Sequence, residues 1–242
     1  MKPAENAASF NELKWDSDFF GFKCAKLVLH RSLTTNEWEN LKVQFDDYSF
    51  IVIENRNANP VNAQLIAKNT SSFLADINIQ FEKKLVETHE MPKGVTTFQS
   101  LEKEDKIIEL ADFPHSRFIS DPEFAKRGGK YVYQQWVMNA FGKPDKYYMV
   151  SKDEKGMING FVLYSYFQKS CVIELISVTK EVSKSGIGTS LFRAVEYTAF
   201  QKGCTKIKVG TQMRNLNAIN FYHKLGCKQV ECHEIYHFWR NK

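Results

Sequence analysis

Apolar and polar positions alternate along this chain in two rhythms, and the change from one to the other marks out its elements. CVIELISV (171–178) is a short β-rich run that predicts a strand. Ile187, Leu191, Ala194, Val195 and Ala199 then recur at helical spacing, so a helix starting near residue 186 buries one face. Two glycines, Gly186 and Gly188, stand in the short loop between them. The N–H groups at a helix N-terminus lack intrahelical partners and lie at the positive end of the helix dipole. Without a Cβ, glycine lets an anion such as phosphate approach those donors. A tight turn that binds nothing needs the same residues, so the loop alone leaves both readings open.

The same rhythms predict elements along the rest of the chain. An aromatic cluster (Phe10, Trp15, Phe19, Phe20, Phe22) precedes the alternating KCAKLVLH and reads as a loop entering a strand. Trp38, Leu41 and Phe45 share a helix face over 34–46, and YSFIVIEN (48–55) is a buried strand. Asn59-Pro60 is an N-cap followed by a first-turn proline, opening a helix to about residue 69. FLADINIQFEKKLV (73–86) is a long strand, and HEMPKG (89–94) has the proline, glycine and charge of a linker. Beyond it come a strand at VTTFQSL, a helix around 102–112, and a helix at 130–141 with Tyr133, Trp136, Val137 and Ala140 in register. Strands at KYYMVSK, GMINGFVLYSYF and CVIELISV lead to the glycine loop and its helix. A strand at 205–211, a helix near 215–225 and a last strand at KQVECHEIYHFW close the order. These elements make an α/β (α+β) chain, with a small βαβαβ unit over 1–92 and a larger unit over 93–242.

Composition narrows the classes. The 242 residues are 43% apolar and 14% aromatic, ordinary values for a globular chain. No apolar run approaches the ~20 residues of a membrane span, and the N-terminus lacks the apolar core of a secretion signal. The five cysteines are odd in number and show no C-x-x-C spacing, which suits a reducing cytoplasm without a structural metal. His233 and His237 lie four apart, but in a strand-like segment that lacks the helical context of a metal pair. A net charge of +5 suits an anionic small molecule and is too diffuse for a nucleic-acid footprint.

SKSGIGTSLF, QMRNLNAINFYHKLGC and the strand ELISV together resemble the GNAT superfamily of acyl-CoA N-acyltransferases. The resemblance implies a GNAT fold with a mixed, mostly antiparallel sheet, and acetyl-CoA as co-substrate with no metal. In that superfamily a Q/R-x-x-G-x-G/A loop takes the CoA pyrophosphate on backbone amides. Its positions here are Ser183, Lys184, Ser185, Gly186, Ile187 and Gly188, followed by Thr189. Ser183 stands where Gln or Arg is usual, and Lys184 brings a charge beside it. The N-x-x-A-x-x-x-Y pattern matches Asn215, Ala218 and Tyr222, with Phe221 alongside. It implies pantetheine binding at Asn215 and a general acid at Tyr222, although Ala218, Phe221, Tyr222 and Leu225 also form a core-like stripe. Ile176, Ser177 and Val178 are implied to pair with pantetheine through their backbone, the Val178 N–H serving the oxyanion.

LKWDSDFFGFKCAKL, FPHSRFISDPEFAKRGGKYVYQQWVMNAF and VGTQMRNLNAINFYHKLGC carry a closer resemblance, to the dTDP-fucosamine acetyltransferases. Those enzymes acetylate the 4-amino group of a dTDP-4-amino-4,6-dideoxyhexose for surface polysaccharide, and a small βα domain precedes their GNAT domain. The likeness implies an amino sugar nucleotide as partner and Asp76 as base, with Glu174 or water as alternatives. Arg117 is a bidentate candidate for the diphosphate. Trp15, Phe19 or Phe20 would stack on the base or sugar. A dimer is the usual form of any self-association. Two other readings stay open: a GNAT enzyme for a different amine (a polyamine, an antibiotic or a protein N-terminus), and a module that binds CoA without catalysis.

Overall fold

A computed structural model of the chain describes residues 6–87, 90–182 and 185–240. In chain order the elements are β1 (Ala8–Glu12), α1 (Lys14–Phe20), β2 (Cys24–Leu29), α2 (Thr35–Lys42), β3 (Phe50–Asn55), α3 (Pro60–Asn69) and β4 (Phe73–Lys84). They continue with β5 (Val95–Gln99), α4 (Asp105–Leu110), α5 (Arg117–Ser120), α6 (Pro122–Lys126), α7 (Val132–Ala140), β6 (Tyr147–Lys152), β7 (Ile158–Phe167) and β8 (Ser170–Val178). Last come α8 (Ile187–Gln201), β9 (Lys206–Gln212), α9 (Leu216–Lys224) and β10 (Lys228–Trp239). Asn59 caps α3 as its sequence suggests, its Oδ1 accepting from the Val61 and Asn62 N–H groups. Where the sequence reads as a loop, residues 8–20 instead form β1, paired antiparallel with β2, and the short α1, ended by Gly21 at φ 75°.

Ten strands form one sheet in the order β1-β2-β3-β10-β4-β9-β8-β7-β6-β5. Only β2–β3 and β8–β9 run parallel, so the sheet is mixed and mostly antiparallel. The position of β4 matters most for the site. It lies between β10 and β9, two strands from the far end of the chain. The expected division between residues 92 and 93 falls in the β4–β5 connection, and the sheet runs without a break across both segments.

Side chains alternate across the sheet. On β4, Ile77, Ile79 and Phe81 turn to one face and pack with Leu191, Phe192 and Val195 of α8 and Tyr222 of α9. Asp76 and Asn78 turn to the other. That second face is covered by α4 and α7, around Ile107, Val137 and Phe161, and by an aromatic cluster of Phe20, Phe118 and Phe124. Among the described residues, no helix is long and apolar enough to cross a membrane.

Candidate active site

The site begins with a fault in the sheet. β8 pairs with β9 only from Ser170 opposite Lys206 to Ile173 opposite Val209, and from there the strands part. The cause lies on the other edge of β8. Leu163 of β7 faces Leu175 while the next residue, Tyr164, faces Ile173, so Glu174 is an unpaired bulge. Before the bulge Cys171 and Ile173 face α8; after it Leu175 packs on the α4–α7 side. Ile176, Ser177 and Val178 stay hydrogen-bonded to β7, which leaves their opposite backbone edge turned to the gap.

A cavity of about 700 Å³ fills that gap and is lined from both sides of the sheet. Gly186, Gly188, Thr189, Asn215, Ala218, Phe221 and Tyr222 line it on the α8–α9 side, with Ile176, Ser177 and Val178 along the β8 edge. Gly186 is the N-cap of α8 at φ 92°, and no side chain caps the helix there. A Cβ at Gly186 would meet nothing within 4 Å among the described residues. A Cβ at Gly188 would stand 3.4 Å from Phe221, so this glycine lets α8 and α9 come close here. Ile187 points into the core. Ser183 and Lys184 lie outside the described residues, and Ser185 has partners of its own. Such a helix mouth suits a phosphate-bearing ligand.

Asn215 caps α9, its Oδ1 accepting from the Ala218 N–H at 3.2 Å. Two turns on, Tyr222 is 3% exposed, packed against Phe81, Phe192 and Phe221, and still on the cavity wall. Burial drives its phenol pKa well up, so the group holds its proton. The core stripe and the site therefore share this residue.

Across the sheet the lining changes to Asp112, Phe113, Tyr133, Glu174 and Gln212. Glu174 reaches the cavity, but each of its oxygens already accepts a donor: Lys146 Nζ at 2.6 Å and the Trp136 indole N–H at 3.2 Å. It ties the bulge to α7 and β6. Asp76 does not line the cavity. It is 8% exposed on the same face, and burial lifts its pKa to about 6 against the pull of the Ile77 N–H, Arg117 and Arg214. Arg214 in turn donates to Ser120 Oγ at 2.8 Å. The guanidinium of Arg117 lies half-buried over the Phe118 ring at 4.7 Å. Its charge also acts on Asp16 and Tyr133. Asp76, Arg117, Arg214 and Tyr133 thus form one polar cluster beside the cavity.

The sequence-predicted aromatics separate. Trp15 and Phe19 are half-buried and stacked at 5.2 Å. Phe20 is 7% exposed inside a ring of Phe19, Phe22, Phe118 and Phe124, and has no face for a ligand; this corrects its expected stacking role. Sequence reasoning missed Tyr133, Gln212 and Asp112 on the far wall of the cavity. For Tyr133 the signal was a hydroxyl on an otherwise apolar helical stripe. His233 and His237, four apart on β10, each face a carboxylate (Glu231 and Asp121), and no group of three or more metal-ligating side chains occurs among the described residues.

Residues 99–227 match the family model described as Acetyltransferase (GNAT) family. Among curated proteins, the chain is 26% identical over 141 residues to the spore coat polysaccharide biosynthesis protein SpsD of Bacillus subtilis, covering 57% of this chain and 48% of that one. It is 40% identical over 74 residues to the uncharacterized protein YdhI of the same organism, covering 31% of this chain and 45% of that one. The chain spans about half the length of the curated relatives it matches. The crystal structure of a GCN5-related N-acetyltransferase from Sphaerobacter thermophilus superposes with a TM-score of 0.66 at 13% identity, over 96% of this chain and 76% of that one. That likeness is one of fold.

Proposed function

Because this chain belongs to the acetyltransferase (GNAT) family, we propose that it acetylates the amino group of a dTDP-4-amino-4,6-dideoxyhexose for polysaccharide assembly, with acetyl-CoA as donor. The observation that carries the reading is one cavity lined from both sides of the sheet. A glycine-lined helix mouth and Tyr222 lie on one face, and carboxylates with two arginines lie on the other. Two substrates can then meet from opposite sides at the gap between β8 and β9. The polysaccharide role in the name of SpsD supports a sugar acceptor. The residues before 93 supply Asp76 and the Trp15–Phe19 stack, so they would form part of the acceptor site.

Acetyl-CoA supplies an acetyl thioester. Amides of the first turn of α8 would hold its pyrophosphate, and the open edge at Ile176, Ser177 and Val178 its pantetheine arm. Val178 N–H would stabilise the negative charge that gathers on the thioester oxygen as the amine attacks. Tyr222, which burial keeps protonated, would deliver its proton to the departing sulfur. Asp76, ionised above about pH 6, would accept the proton lost by the amine. Arg117 and Arg214 would meet the diphosphate.

Release of free thiol from acetyl-CoA, followed with four acceptor classes, tests the reading. The dTDP-amino sugar should saturate, with kcat/KM well above that of the free amino hexose. Saturation only by a polyamine or a peptide N-terminus would move the enzyme to another amine. Acetyl-CoA binding without turnover on any acceptor would make the chain a binding module.

A further inference from the structure

Asp76 stands off the cavity wall, and Tyr133 stands on it. The Tyr133 ring is fixed between Phe113, at 4.9 Å, and Trp136, parallel at 6.1 Å. Its hydroxyl accepts from the Gln212 side-chain amide at 3.4 Å. Gln212 lies opposite Asn78 on β4, two residues from Asp76 on the same face. Hydroxyl and carboxylate therefore sit over neighbouring positions of one ladder, and the charges of both Asp76 and Arg117 act on the phenol. A phenol is donor and acceptor at once, so it can take a proton on a lone pair while releasing its own.

We propose that Tyr133 is a catalytic residue whose hydroxyl relays the acceptor's ammonium proton from the cavity to Asp76. The proposal rests on the reading that an amine acceptor enters this cavity. In the step, an N–H bond of the ammonium breaks as a bond forms to Tyr133 Oη. The original Oη–H proton passes to the Asp76 carboxylate across one water. The amine regains its lone pair, the phenol ends neutral and Asp76 ends as a carboxylic acid. No charge rests on the phenol, as its burial requires. The groups facing this path are Ser116 and Gln212, hydrogen-bonded to the phenol, Arg117 and Arg214 beside Asp76, and Asp112 and Glu174 on the wall, the last held by Lys146 and Trp136.

Tyr133→Phe keeps the ring and deletes the hydroxyl. With an amine that the unmodified enzyme turns over, kcat/KM should fall roughly 10- to 100-fold near neutral pH. The deficit should close once the pH exceeds the acceptor's own ammonium pKa, because the amine then arrives deprotonated. Asp76→Asn should show the same pH-dependent deficit, and the double variant should be no worse than the poorer single. The acetyl-CoA Kd should stay unchanged in all three, which also reports that they fold. A deficit equal at every pH would reduce Tyr133 to a packing residue and overturn the relay. So would losses that multiply in the double variant. If the unmodified enzyme turns over no amine at all, the acetyltransferase reading falls, and the relay with it.

Discussion

Tyr222 shows why a site residue can be read from sequence and still be read two ways. Its place in the N-x-x-A-x-x-x-Y pattern marks it as an acid, and its place in the α9 stripe marks it as core. The structure packs its ring among Phe81, Phe192 and Phe221 and sets the residue on the cavity wall. Tyr222→Phe keeps that packing, so the Tm should hardly move while kcat falls by ~10²–10⁴-fold. Full activity would leave the ring as a stripe residue alone. Asp76 was legible only as an acid between apolar neighbours, since what lifts its pKa is burial beneath a non-local cover. With Asp76 as base, kcat/KM for the amine should drop as the pH falls through about 6. Asp76→Asn should lose that limb, and a limb unchanged in the variant would move the base to Glu174 or water. Arg117 and Phe20 were both acceptor-side candidates in sequence; the aromatic cluster buries Phe20 and leaves Arg117 half-exposed.

At the scale of elements, local signals read well and pairing did not. Asn59-Pro60 gave α3, and the 187–199 stripe gave α8. Asp121-Pro122 is the same kind of start signal, and it opens α6, with Asp121 Oδ1 accepting from the Glu123 N–H at 2.9 Å. α5 and α6 were nonetheless missed, because helices of four and five residues are too short to show a period. The bulge at Glu174 is invisible in CVIELISV, since it depends on which β7 residue each position faces. Yet that bulge opens the gap that the glycine loop serves. Gly186 tests the pairing of loop and gap. Gly186→Val adds a side chain in front of the α8 amides, and the acetyl-CoA Kd should rise at least ~10-fold, about 1.4 kcal/mol. The φ of 92° makes valine strained there as well, so the Tm should also drop. Calorimetric titration of the folded variant separates the two effects, and an unchanged Kd would mean that the loop is only a turn.

Across the whole molecule, the placing of β4 between β9 and β10 was beyond the reach of sequence patterns. Alternation says that a strand exists and which side chains share a face, but not which distant strand lies beside it. That placing bears on whether residues 93–242 can stand alone. Without β4, β10 loses partners from Lys228 to His237, and β9 loses the whole strand that covers one of its edges. The α8 core would lose Ile79 and Phe81, both buried. Phenylalanine removal alone costs ~3–5 kcal/mol in such a core. Glu196 of α8 would also lose its ion pair with Lys83. These losses come on top of the pairing that β9 and β10 give up, against a typical stability of only ~5–15 kcal/mol. Residues 93–242 expressed alone should therefore show no cooperative melt and no acetyl-CoA binding, while the intact chain melts in one transition. A cooperative melt with retained acetyl-CoA binding in the fragment would instead make the division at residues 92 and 93 a true domain boundary, with β4 an accessory that the cofactor half can spare.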